Sequence, residues 1–261
     1  MNAAGGTGVR ITNPKIATLA PTWRRYRGFS VLFDNPGARA PARMTPLADL
    51  PVEDPAQQAL YDDLAALVAG ADVATMREQH GFCPLPRYSY HVTVCDGPNE
   101  QDLAGAHGPA VAAAAALLDD LPHSLDRLST ELTLPHAPRL IAAVAADPVT
   151  LVVSDVAIWG HVLAARLAPA DAAARVALER VSRARTHLVD ELRRELGLRT
   201  QAWRPHVSLG YFANRDAARA AQPSLVQWRR ALARRPRTAI TYRSAAIYGF
   251  TDMASFFRAA R

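Results

Sequence analysis

Two short stretches of this chain share one pattern: an aromatic residue, two unconstrained positions, a histidine, then a hydroxyl residue between two apolar ones. The first is Tyr88-Ser89-Tyr90-His91-Val92-Thr93-Val94. The second, 115 positions further on, is Trp203-Arg204-Pro205-His206-Val207-Ser208-Leu209. Alternation and the wealth of β-branched and aromatic residues predict strands over Arg87–Cys95 and Trp203–Phe212. Neighbouring side chains of a strand point to opposite faces. His91 and Thr93 therefore share one face, and Tyr90, Val92 and Val94 the other, which suits a core. Likewise His206 and Ser208 point one way, while Val207, Leu209 and Tyr211 point towards the core. Packed around a cleft, such strands bring two imidazoles and two hydroxyls into one small volume. Of eight histidines, only these two have that context. Ordinary composition gives roughly 2–3% per histidine, so about 1–2% for two among eight.

Composition sets the frame for these strands. The chain has 261 residues, 49% hydrophobic and 21% charged, which suits a folded protein with one sizeable core or two modest lobes and excludes disorder. No run of about 18 apolar residues exists, so no membrane partner is expected. The opening MNAAGGTGVRITNPK has no apolar stretch of a secretory leader. Cys83 and Cys95 form neither a zinc pattern nor a disulfide framework, and a cytoplasmic protein with reduced thiols is expected. Charge is segregated: +6 over residues 1–45, −11 over 46–135 and +11 over 136–261. Lys15 is the only lysine; every other cation is arginine, whose planar fork suits phosphate. Genomic base composition explains the arginine bias equally well, so a phosphate-bearing ligand is compatible with it rather than required.

Residues 1–27 are expected to form a polar extension ending in Trp23-Arg24-Arg25-Tyr26-Arg27, with a single bilobal domain over 28–261. Within it, Gly28–Phe33 is a strand stopped by a turn cluster, and 36–54 a Pro-rich loop. Pro55–Ala69 is a helix capped by Asp54, with Leu60, Leu64, Leu67 and Val68 on one face. Pro109–Leu121 is a second helix. Leu128–Leu134, Leu140–Ala145 and Val149–Val153 are expected as strands, and 155–167 leans the same way. Pro169–Leu196 is a long amphipathic helix with Gly197 at its C-terminal cap. Ala217–Ala233 is helical with a break at Pro223, and 238–260 forms two strands.

Two imidazoles near neutral pH can act as base and acid in one reaction. The base takes a proton from water or a ribose hydroxyl, and the acid gives one to the leaving oxygen. The hydroxyls hold non-bridging phosphate oxygens. This set suits a phosphodiester with a built-in leaving group, above all a 2′,3′-cyclic phosphate, and it needs no metal or other cofactor. His206 is expected as base and His91 as acid, with the opposite assignment open.

The motifs His91-Val92-Thr93-Val94 and His206-Val207-Ser208-Leu209 resemble those of the 2H phosphoesterase superfamily, which includes RNA 2′,3′-cyclic phosphodiesterases, also called 2′-5′ RNA ligases. The resemblance spans about residues 28–261 in element order, and Arg204–Phe212 is its closest local match. It implies an α+β fold of two lobes, with two antiparallel sheets related by pseudo-two-fold symmetry around a central cleft and helices outside. It also implies a phosphoric diester hydrolase acting on a cyclic phosphate or 2′,5′ linkage of a nucleotide or RNA end. Residue by residue it carries over His91, Thr93, His206 and Ser208. The leading segment and the 122–168 stretch exceed its smallest members. The alternative is a non-catalytic nucleotide- or RNA-binding module on the same fold; a structural or partner-binding protein is a third reading, and no obligate protein partner is inferred.

Arg204, on the face of His206, is a further candidate for phosphate contact, and Tyr248 a candidate for lining the cleft. Ser89 reads as a bystander and Cys95 as an inert buried thiol. The other six histidines form no metal-ligand spacing, and no site for a metal is expected. Gly5-Gly6-Thr7-Gly8 lacks the context of a phosphate loop, and no GxSxG elbow exists. The arginines between Arg229 and Arg243 suit a solvated basic face better than a nucleic-acid footprint.

Overall fold

The computed structural model describes residues 8–132, 134–198 and 202–259. The N-terminal segment forms a small hairpin of β1 (Ile16–Thr18) and β2 (Thr22–Trp23). β3 (Gly28–Phe33) is buried along its length, and β4 (Thr45–Pro46) follows a loop. Asp54 accepts a hydrogen bond from the Ala56 N–H and starts a 3-10 turn that runs into α1 (Ala59–Ala69), whose Leu60, Leu64, Leu67 and Val68 are buried as the spacing predicts. α2 (Val73–His80) leads to β5 (Phe82–Pro84), and then come β6 (Thr93–Asn99), α3 (Glu100–Leu103) and α4 (Val111–Asp119).

The stretch after α4 departs from expectation. Leu128–Leu134 and Leu140–Ala145 are not strands. α5 (Leu128–Glu131) and α6 (His136–Ala146) occupy them, residue 133 lying outside the described residues. Ala137, Leu140 and Val144 recur at helical spacing and are buried, and that face packs on the next long helix. β7 (Val149–Trp159) and β8 (Val162–Pro169) form a hairpin that takes in the ambiguous 155–167 run. α7 (Ala172–Leu196) starts on the Asp171 cap, three residues inside Pro169, and ends on Gly197 at φ +67°. β9 (His206–Phe212), α8 (Arg215–Ala220) and α9 (Leu225–Ala233) follow. The end of the chain holds three strands rather than two: β10 (Ala239–Tyr242), β11 (Ala245–Phe250) and β12 (Phe256–Arg258).

Among the described residues the larger strands make two five-stranded sheets, in the orders β4-β12-β11-β3-β6 and β10-β7-β8-β9-β5. Pairing within both is antiparallel. The expected α+β class with two antiparallel sheets holds. β10 and β11 were expected as one strand; the chain breaks at Arg243-Ser244 and crosses from one sheet to the other. α7 packs against β6 of the first sheet and against β7 and β8 of the second, so it is a spine common to both lobes. Inside that contact, buried Arg185 of α7 donates to the Val94 carbonyl, 3.0 Å away.

The N-terminal segment ties the lobes together on another side. Thr12 and Asn13 donate backbone hydrogen bonds to the Ala213 carbonyl, just past β9. The Asn13 side chain donates to the Phe212 carbonyl at 2.9 Å, and Cys83 of β5 lies 3.3 Å from the Thr18 carbonyl. At the other end, the Tyr26 N–H donates to Thr251 between β11 and β12, and the Tyr26 hydroxyl to Asn99 of β6. Residues 10–27 therefore run from one sheet to the other.

Candidate active site

His91 precedes its strand rather than lying in it. Pro86 leads into a 3-10 turn, Arg87–Ser89, closed by the Ser89 hydroxyl on the Pro86 carbonyl at 2.8 Å. β6 starts only at Thr93. The turn aims the Ser89 carbonyl at His91 Nδ1, 2.8 Å away. Ser89, expected as a bystander, thus orients the ring. The second motif repeats the device: the Arg204 carbonyl lies 2.8 Å from His206 Nδ1. A carbonyl oxygen only accepts, so each Nδ1 carries its hydrogen and each Nε2 is left for chemistry. Aromatic rings brace both imidazoles. Phe256 sits 4.4 Å from His91, and Trp159 meets His206 edge-on at 5.3 Å.

The face assignments hold at the motif cores. Tyr90, Val92, Val94, Val207 and Leu209 are buried, while His91, Thr93, His206 and Ser208 are half-exposed. Among the described residues neither the Thr93 nor the Ser208 hydroxyl has a hydrogen-bond partner. Trp203 joins the two motifs directly, its indole N–H donating to the Thr93 carbonyl at 2.9 Å. Burial pulls the His91 imidazole down to about 4; its hydrogen bond to Ser89 works against this, and the charges of His206 and Lys15 add to the fall. The charge of His206 thus acts on His91, and the Trp203–Thr93 bond sets the two motifs side by side.

β9 is close-packed on its neighbour. A Cβ at Gly210 would lie 2.5 Å from the Cys83 carbonyl oxygen and from the Phe82 ring, so only glycine lets β5 approach here. The register of β9 on β8 shifts by one residue between Ser208 and Gly210. Tyr211 is buried in the core as expected, and its ring meets Trp23 at 5.9 Å and the Lys15 ammonium at 5.0 Å, on the side of the N-terminal segment.

Two further candidates separate. Arg204 is exposed, with its guanidinium 5.9 Å from the Trp159 ring centroid, at the rim beside His206. Tyr248 does not line the cleft. It is 1% exposed, and its hydroxyl donates to Asp34 at 2.8 Å, where Asp34 also holds Arg258 and Ser244. Tyr248 is a member of a buried polar cluster, and the Arg258 guanidinium overcomes burial to hold the Asp34 carboxyl below its usual range. Cys95 is 1% exposed and burial pushes its thiol up to about 12, far from nucleophilic. Among the described residues no three His, Cys, Asp or Glu side chains stand together as a metal site. Arg229, in the basic run, is paired with Asp155 at 2.8 Å. Sequence reasoning missed Trp159, Phe256 and the place of Lys15; the one available signal was that Lys15 is the only lysine in a chain of arginines.

No family model matches the chain, and no curated relative does. It is similar to several solved structures. A conserved protein of unknown function from Agrobacterium tumefaciens is 15% identical, with 93% of this chain and 88% of that one covered and a TM-score of 0.49. E. coli LigT complexed with 3′-AMP is 10% identical over 91% of this chain and 97% of that one, TM-score 0.44. Kluyveromyces marxianus Usb1 is 12% identical over 90% and 98%, TM-score 0.38. At such identities a likeness of shape says nothing of chemistry, which has to come from the residues.

Proposed function

We propose that this chain is a phosphodiesterase of the 2H type that opens a cyclic phosphate, or cleaves a 2′,5′ linkage, on a nucleotide or RNA end without a metal. One observation carries the reading: two imidazoles from opposite lobes, each locked by a carbonyl on Nδ1, each with a free hydroxyl beside it.

Burial keeps His91 neutral at physiological pH. This favours His91 as base, the reverse of the expectation from sequence. Its Nε2 takes a proton from water as the water oxygen bonds to phosphorus. The bond from phosphorus to one ribose oxygen breaks, and that oxygen takes the proton from Nε2 of a protonated His206. The product is a phosphomonoester, and solvent returns both rings to their starting protonation. Thr93 and Ser208 donate to the non-bridging oxygens, where charge builds in the transition state. Arg204 stands at the rim for a neighbouring phosphate.

A panel of 2′,3′-cyclic nucleotides, cyclic-phosphate-ended RNA and 2′,5′-linked oligomers, with products identified by mass, tests this. Monoester products formed equally with and without EDTA are expected. Tight nucleotide binding with no product after long incubation would instead mark a binding module.

A further inference from the structure

Arg166 is the cross-strand neighbour of His206. In the antiparallel pairing of β8 with β9, Arg166 stands opposite His206 and Ala165 opposite Val207. Residues directly opposite share a face, with Cβ atoms about 5 Å apart. Ala165 and Val207 are buried on the core face, so Arg166 rises on the other, the face of His206 and Ser208. The pairing is pinned on both sides. The Leu167 N–H donates to the Pro205 carbonyl at 2.9 Å, and the Ser154 hydroxyl to the Arg166 carbonyl at 3.2 Å. Arg204 stands over the Trp159 ring at the rim, whereas Arg166 comes from the sheet itself.

The charge around Arg166 is unbalanced. Its ion-pair partner is Asp155, opposite it on β7 and 3.9 Å away. That carboxylate is already engaged. Arg229 of α9 donates to both of its oxygens, at 2.8 and 3.2 Å, and to the Val156 carbonyl at 3.3 Å. Arg229 has access because β10 pairs with Val149–Val152, which leaves the rest of β7 unpaired on that side among the described residues. Two guanidinia thus share one carboxylate, and one positive charge is left over. It falls to Arg166, whose side chain is half-exposed and donates no hydrogen bond among the described residues. A planar guanidinium with free donors suits a phosphate oxygen.

Its position along the strands says which phosphate. Ser208, the hydroxyl assigned to the reacting phosphate, lies opposite Ala164, and Ala164 opposite Ala157, so that level of the sheet carries no cation. Arg166 is two residues further along β8, about 7 Å. A ribose spans such a distance between the phosphates on its 3′ and 5′ oxygens. We propose that Arg166 takes the second phosphate of the substrate, the one on the 5′ oxygen of the nucleotide whose cyclic phosphate reacts. The proposal rests on the phosphodiesterase reading for the place of the reacting phosphate, but not for the anion site. The same phosphate ends a 5′-phosphorylated nucleotide or links an RNA end to the residue before it.

Steady-state kinetics on 2′,3′-cyclic AMP, its 5′-phosphate and ApA ending in a 2′,3′-cyclic phosphate test it, for wild type and Arg166→Gln. Calorimetric titration with 3′-AMP and adenosine 3′,5′-bisphosphate reads the same preference without turnover. Wild type is expected to favour the second phosphate about ten-fold in KM and in Kd, as one charge-assisted contact gives. Arg166→Gln is expected to lose that preference with the loss in KM rather than kcat, and Arg166→Lys to regain part of it. If melting temperatures show that Gln unfolds the chain, Arg166→Met takes its place. Equal gains from the 5′-phosphate and from ApA assign the subsite to the phosphate alone; a gain from ApA only assigns it to an RNA linkage. A wild type indifferent to the second phosphate, or an Arg166→Gln protein that keeps the preference, overturns the proposal and leaves the two histidines untouched. A wild type that turns over nothing, yet prefers the bisphosphate until Arg166 is replaced, sinks the reaction and keeps the arginine.

Discussion

His91 shows how one residue can be shaped for chemistry by its surroundings. Its ring packs on Phe256, its Nδ1 is committed to Ser89, and burial makes its charged form unfavourable, down to about 4 against an ordinary 6.5. A base that stays neutral across the working range is ready to accept a proton whenever substrate arrives. The same shift has a consequence for stability. Between pH 6.5 and about 4 the unfolded chain holds a proton on this ring that the folded chain lacks. Stability therefore rises with pH across that window and is lost as pH falls through it. Melting temperatures of wild type and His91→Gln, measured from pH 7 to pH 4, should converge towards the acid end as wild type loses this contribution. Parallel curves would mean that the His91 ring is not desolvated in solution as it is here.

At the scale of elements, what was legible in the sequence and what was not divide by whether a pattern is local. α1 and α7 followed from apolar spacing and caps, and α4 from its run of alanines, because a helix closes its hydrogen bonds within itself. The hydroxyl-bearing faces at the cores of the two motifs followed from alternation alone. α5 and α6 did not: short runs such as Leu140-Ile141 between Pro135, Pro138 and Asp147 resemble strands until α7 is there to receive Ala137, Leu140 and Val144. The bulge in β9, the crossing between β10 and β11, and the path of the N-terminal segment are all set by partners far away in the chain. So is the placement of Trp203, whose indole reaches across to Thr93. Trp203→Phe leaves that carbonyl without its donor, at a cost of about 1–3 kcal/mol. A fall of several degrees in melting temperature is expected, together with a lower kcat, because the bond registers one motif on the other. A variant with normal kcat would show that the motifs are aligned by other contacts.

For the whole molecule, two sheets meet along α7, Trp203 and the N-terminal segment, and each lobe carries one of the two histidine motifs. The duplication is not exact. The first motif strand is a sheet edge while the second is covered by β5, yet both histidines meet a carbonyl two residues back at 2.8 Å. Such an arrangement suits in-line displacement, in which one side of phosphorus gains an oxygen as the other loses one. In the proposed reaction each ring is needed once per turnover, so neither can stand in for the other. The most direct measurement is hydrolysis of 2′,3′-cyclic AMP by wild type, His91→Gln and His206→Gln, with melting temperatures taken in parallel. Each folded variant is expected to lose about 10²–10⁴-fold in kcat. Full activity in either one would contradict the two-histidine account.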